Sequence, residues 1–195
     1  MSSLINSEVF DIIKEDIESL DGRIVLLKGN YCGGKSKCSG LFYMDSHDNP
    51  IIKVAKGNLQ EDEWFGVLIH EYCHFMQWRN DSKLWNKFCD YDVSYSQIIL
   101  KPQNYKKELE ALMELEIDCE KCAVNIIKNN KLFDHKKYVQ SANAIIYKYA
   151  FLYNFGKWPE DNRKYEKVQD FCPAKILKSY KEYLEIPEKV IQYYR

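Results

Sequence analysis

Val67-Leu68-Ile69-His70-Glu71-Tyr72-Cys73-His74-Phe75-Met76 carries two histidines four residues apart, with a glutamate directly after the first, inside an otherwise apolar run. Around it, Trp64, Phe65, Leu68, Ile69, Tyr72, Phe75 and Met76 recur at helical spacing, and Glu61-Asp62-Glu63 suits the positive end of a helix dipole. A helix that starts at Glu61 puts the HExxH motif at its middle. Residues four apart lie one turn apart on one face, so both imidazoles reach one metal ion while Glu71 points toward a water on that metal. His70, His74 and Glu71 thus read as two ligands and the base of a zinc hydrolase.

The flanking sequence fills in an α+β chain. Residues 3–20 hold Leu4, Val9, Ile12, Ile13, Ile17 and Leu20 at helical spacing and stop at Asp21-Gly22, which predicts a covering helix. Residues 23–28, 40–45 and 51–56 read as strands, the last two forming a hairpin about Ser46-His47-Asp48-Asn49-Pro50. After the motif helix the pattern predicts a short helix near residues 84–88, a less regular stretch to Pro102, and helices over 105–129 and 134–155. Beyond Gly156-Lys157-Trp158-Pro159 only a short helix near 174–183 is expected, with Pro173 and Pro187 as interruptions. The expected architecture is one domain over 1–195: a helix and small antiparallel or mixed sheet in 1–60, and a mainly helical body in 61–195 that carries the site.

At 195 residues and 46% hydrophobic content the chain is long enough to bury a real core. Its 28 basic and 29 acidic residues nearly cancel, so nothing global favours nucleic acid or an anionic membrane as partner. No apolar run is long enough to span a bilayer, and the N-terminus lacks the basic start and apolar core of a secretion signal. Seven cysteines, odd in number and partly on helical apolar positions, fit reduced thiols in a cytoplasmic protein rather than a disulfide framework.

A catalytic zinc keeps three protein ligands and one open position, so the motif needs a third donor. The three-histidine pattern requires Gly at position 77 and His at position 80, where this chain has Gln77 and Asn80. His47 and His135 have no spacing that recommends them. The helix over 105–129 supplies glutamates beside a stripe formed by Leu112, Leu115, Cys119, Cys122 and Ile126, and spacing leaves both Glu114 and Glu116 flanking it.

Glu116-Ile117-Asp118-Cys119-Glu120-Lys121-Cys122-Ala123 resembles the ExxAD segment, followed by a small residue, of glutamate-zincin (gluzincin-type) metallopeptidases. The resemblance implies Glu116 as third ligand and Glu120 in place of the family's usual aspartate, orienting a ligand histidine through its free ring nitrogen. Glu114 with Asp118 is the alternative pair. With Ile69 to Phe75 and Tyr138-Val139-Gln140-Ser141-Ala142-Asn143-Ala144, these segments look like the small HExxH proteins of bacteriophages and related viruses that are grouped as metallopeptidases. The likeness spans residues 64–158 and implies a zincin-like fold, a phage or viral origin, and work in a host cytoplasm.

The chemistry this implies is peptide-bond hydrolysis by a water activated at Zn²⁺, with Glu71 taking the water's proton and passing it to the leaving amine. The strand 51–56 is expected to pair with an extended peptide substrate, and Tyr147, Tyr149 or Tyr153 to stabilise the oxyanion. The alternative is a zinc-binding or interaction protein that does not cleave. A further pattern, Gly29-Asn30-Tyr31-Cys32-Gly33-Gly34-Lys35-Ser36, satisfies GxxxxGK(S/T), but the residues after it read as a strand and leave no room for the helix that must bind the phosphates. Cys119 and Cys122 form CxxC on the apolar stripe, where core packing is the expected role.

Overall fold

The computed structural model describes residues 2–32, 38–91, 93–159 and 168–195; the Gly33-Gly34-Lys35-Ser36 part of the phosphate-loop pattern lies outside them. The chain is α+β, with a three-stranded mixed sheet and a majority of helix. It forms two compact units, one of Met1–Asn80 with Cys122–Phe133, the other of Asp81–Lys121 with Asp134–Arg195.

In the first unit, helix α1 (Ser2–Glu18) buries Val9, Ile13 and Ile17, one turn apart, while Ile12 is exposed. The inward stripe is therefore narrower than the apolar positions suggested. Strands β1 (Arg23–Leu27), β2 (Gly40–Met44) and β3 (Pro50–Ala55) stand in the order β1-β3-β2, with β1 parallel and β2 antiparallel to β3. The predicted β2–β3 hairpin is present. Its turn is held by the Asp45 carboxylate, which accepts from the N–H groups of His47 at 2.9 Å and Asn49 at 3.1 Å; these two bonds hold Asp45 below the usual carboxylate range. His47 itself is exposed.

The expectation that the strand at 51–56 takes up substrate is corrected by this order. β3 is the central strand, paired on both sides, so it has no backbone groups left for an added strand. The centre is also the driest part of the sheet: Ile52, Val54 and Ala55 are fully buried. Edges belong to β1 and β2.

Helix α2 (Glu61–Arg79) packs over β2 and β3. Its start is fixed by Glu63, whose carboxylate accepts from the Gln60 N–H at 2.9 Å. Phe42 of β2 meets Phe75 edge to face at 6.1 Å and tilts against Trp78 at 6.2 Å, which seats the C-terminal half of α2 on the sheet. On the other side, Asp16 of α1 accepts from the Tyr72 hydroxyl at 2.8 Å and pairs with Arg79. Burial, then the Asp16 carboxylate, pushes the Tyr72 hydroxyl up.

The second unit is helical: α3 (Lys83–Cys89), α4 (Tyr95–Leu100), the first part of α5 (Lys106–Asn129), α6 (His135–Phe155), α7 (Tyr180–Leu184) and α8 (Glu188–Tyr194). Its core gathers Ile98, Leu109, Met113, Ile146, Phe151 and Tyr183 among others. Caps set the boundaries. Ser82 accepts from Trp85 N–H at α3, Asp134 accepts from Lys136 N–H at α6, and Gly156 ends α6 at φ 70°, a left-handed conformation that suits glycine. Two departures stand out. α4 occupies the stretch expected to be irregular, and α8 begins directly after Pro187, which starts a helix rather than interrupting one. Of the helix expected over 174–183, only the part from Tyr180 forms.

Helix α5 is continuous, and its residues up to Lys121 belong to the second unit while those from Cys122 belong to the first. Among the described residues no helix is long and apolar enough to cross a membrane.

Candidate metal centre

The α2 helix places its two histidines as the spacing requires. The rings of His70 and His74 meet edge to face with centroids 4.7 Å apart and planes at 88°. His74 is only 9% exposed, and its Nδ1 lies 2.8 Å from Oε1 of Gln77, one turn further along the helix and 6% exposed. A carbonyl oxygen can only accept, so Nδ1 carries the ring proton and Nε2 keeps the lone pair that a metal needs. Gln77 thus does for His74 what an outer carboxylate does for many ligand histidines. In the sequence Gln77 served only to exclude a three-histidine site; its place three residues after His74 was the available signal.

Glu71, on the turn between the histidines, is 7% exposed. Its neighbour is the first residue of β2. A Cβ built on Gly40 would collide with Glu71 Oε1, come within 2.8 Å of Glu71 Cγ and lie 2.6 Å from Val67 Cγ1. Glycine at 40 is therefore what lets the carboxylate lie against the edge strand, and no alternation or motif marks it in the sequence.

Cys119, on the apolar stripe of α5, is fully buried, in keeping with core packing.

The glutamates of α5 divide. Glu116 is half-buried. Glu114 accepts from Lys87 Nζ at 2.6 Å in an ion pair. Asp118 is exposed. Glu120 is 3% exposed, and its Oε2 accepts from the Tyr138 hydroxyl of α6 at 2.8 Å.

The three tyrosines considered for an oxyanion are set in the second unit with partners of their own. Tyr147 is 2% exposed, stacks edge to face on Tyr183 at 5.1 Å, and is pushed up to about 12 by burial. Tyr149 shares a hydroxyl contact of 3.3 Å with Tyr95 and packs on Trp158. Tyr153 donates to Glu110 Oε1 at 2.7 Å.

No protein-family model, curated protein or solved structure matches this chain.

Proposed function

We propose that the chain is a zinc-dependent hydrolase of peptide bonds, with His70 and His74 as metal ligands, Glu116 as the third ligand and Glu71 as general base. The observation that carries the reading is the arrangement on α2. Two histidines share one face, His74 is held with Nε2 available, and a nearly buried carboxylate stands between them. Binding alone does not call for Glu71.

Zinc held there would supply Lewis acidity and an acidified water, with a pKa brought toward roughly 7. Glu71 takes the water's proton and delivers it to the leaving nitrogen. Gln77 keeps His74 in the ligating tautomer. The edge of β2 away from β3, which begins at Gly40 beside Glu71, is where an extended peptide backbone would add as a fourth strand. That placement suits recognition through main-chain hydrogen bonds, with little sequence preference.

Metal content measured separately in Glu116→Gln and Glu114→Gln tests the third donor. Hydrolysis itself is tested with an unfolded protein substrate. If wild-type protein binds zinc stoichiometrically and cleaves no member of a broad peptide library, it is a metal-binding protein and not a peptidase.

A further inference from the structure

Apart from the metal centre, the first unit brings a pair of thiols together beside Glu71. The Cys32 N–H donates to the Cys38 carbonyl at 2.9 Å. A single bond of this length keeps the two Cα atoms within about 7 Å, which reaches the span of a disulfide. Cys32 is 8% exposed and Cys38 half-buried, so one sulfur is sheltered and the other is open to a reagent.

This pair sits on the frame that seats the carboxylate. Cys32 Sγ donates to the carbonyls of Ser39 at 3.2 Å and Lys53 at 3.5 Å, and the Ser39 carbonyl also accepts from Ala55 N–H at 2.8 Å. Gly40, the next residue, is the one against which Glu71 lies. Losing the Cys32 S–H removes the bonds to Ser39 and Lys53 together.

We propose that Cys32 and Cys38 are a reversible redox pair that closes to a disulfide and thereby shifts the Ser39-Gly40 seat of Glu71. The oxidant is a low-molecular-mass disulfide such as oxidised glutathione. Cys38 sulfur attacks one of its sulfurs and releases the first thiol, leaving a mixed disulfide; Cys32 sulfur then attacks at Cys38 and releases the second. The reagent's S–S bond is reduced, the two cysteines are oxidised, and their two protons leave on the two released thiols. Burial, and then the neighbouring Cys38, pushes the Cys32 thiol up to about 11, so Cys38 attacks first. The regulatory consequence rests on Glu71 being the base, whereas bond formation does not.

The test equilibrates the full-length protein across ratios of reduced to oxidised glutathione, followed by alkylation and peptide mapping. A Cys32 to Cys38 link should accumulate ahead of any other pairing, and the Gly40 amide resonance should move between the reduced and oxidised ends. Cys38→Ser, at a half-buried position, and Cys32→Ala should each lose both changes. Free Cys32 and Cys38 thiols at the oxidised end overturn the proposal, and so does a disulfide that leaves the Gly40 resonance in place. Both readouts work on protein that cleaves nothing, so their failure is distinct from failure of the hydrolase reading.

Discussion

His74 Nδ1 and Gln77 Oε1 stand 2.8 Å apart in a nearly buried pair on the same face of α2. The bond selects one ring tautomer before any metal arrives. Replacing Gln77 with Leu should lower zinc affinity about 10- to 100-fold while the melting curve of the metal-free protein changes little. Gln77→Glu, which keeps the acceptor, should restore affinity. Chelator competition measures both, and an unchanged affinity in the Leu variant would remove Gln77 from the site.

Glu71→Gln separates binding from chemistry. Zinc content should remain stoichiometric and hydrolysis of an unfolded substrate should fall by about 10²- to 10⁴-fold, the usual size of a general-base contribution. Equal cleavage in wild type and variant would sink the assignment of the base.

Gly40→Ala probes the contact between sheet and carboxylate. The added methyl collides with Glu71 and Val67, so Glu71 must leave its seat and the unit should lose about 1–3 kcal/mol. Turnover should fall while metal content holds. Urea unfolding and metal analysis on one preparation give the two numbers, and an unaltered turnover would show that the seat is irrelevant to chemistry.

Asn143 is a pin in the second unit. Fully buried, its Nδ2 donates to the carbonyls of Pro173 at 2.7 Å and Lys175 at 2.9 Å, and its Oδ1 accepts from the Tyr183 hydroxyl. Asn143→Ala orphans several polar groups at once, so a destabilisation of at least about 2 kcal/mol is expected in chemical denaturation. Tyr183→Phe removes one of these bonds and should cost less.

Alkaline pH should weaken the fold through its sheltered thiols. The usual cysteine value of 9.0 is raised to about 11 for Cys32 and about 12 for Cys172, burial being the first cause in both. Between those limits the folded chain holds protons that the unfolded chain has released, so this stability is whole below pH 9.0 and is lost as pH rises through the folded values. Urea midpoints taken from pH 8 to 11 should decline, and less steeply in Cys172→Ala than in wild type.

Periodicity and turn chemistry made much of this architecture legible in one dimension. The motif helix, the β2–β3 hairpin and α5 follow from local rules that act within a few residues, as do the shared face of His70 and His74 and the position of Glu71 between them. α4 is legible too, because Ser94 and Gln97 form a capping box, Ser94 Oγ accepting from Gln97 N–H at 3.3 Å and Gln97 Oε1 from Ser94 N–H at 2.9 Å.

Sequence alone determined that His70, Glu71 and His74 stand together on one helix, because an α-helix sets the relation between residues one turn apart. Tertiary structure alone decided the rest. Strand order made β3 central and β2 an edge, and Gly40 came to lie under Glu71. Such relations depend on how separate elements pack and pair, and hydrophobic spacing within one element carries no record of which neighbour its buried face will meet.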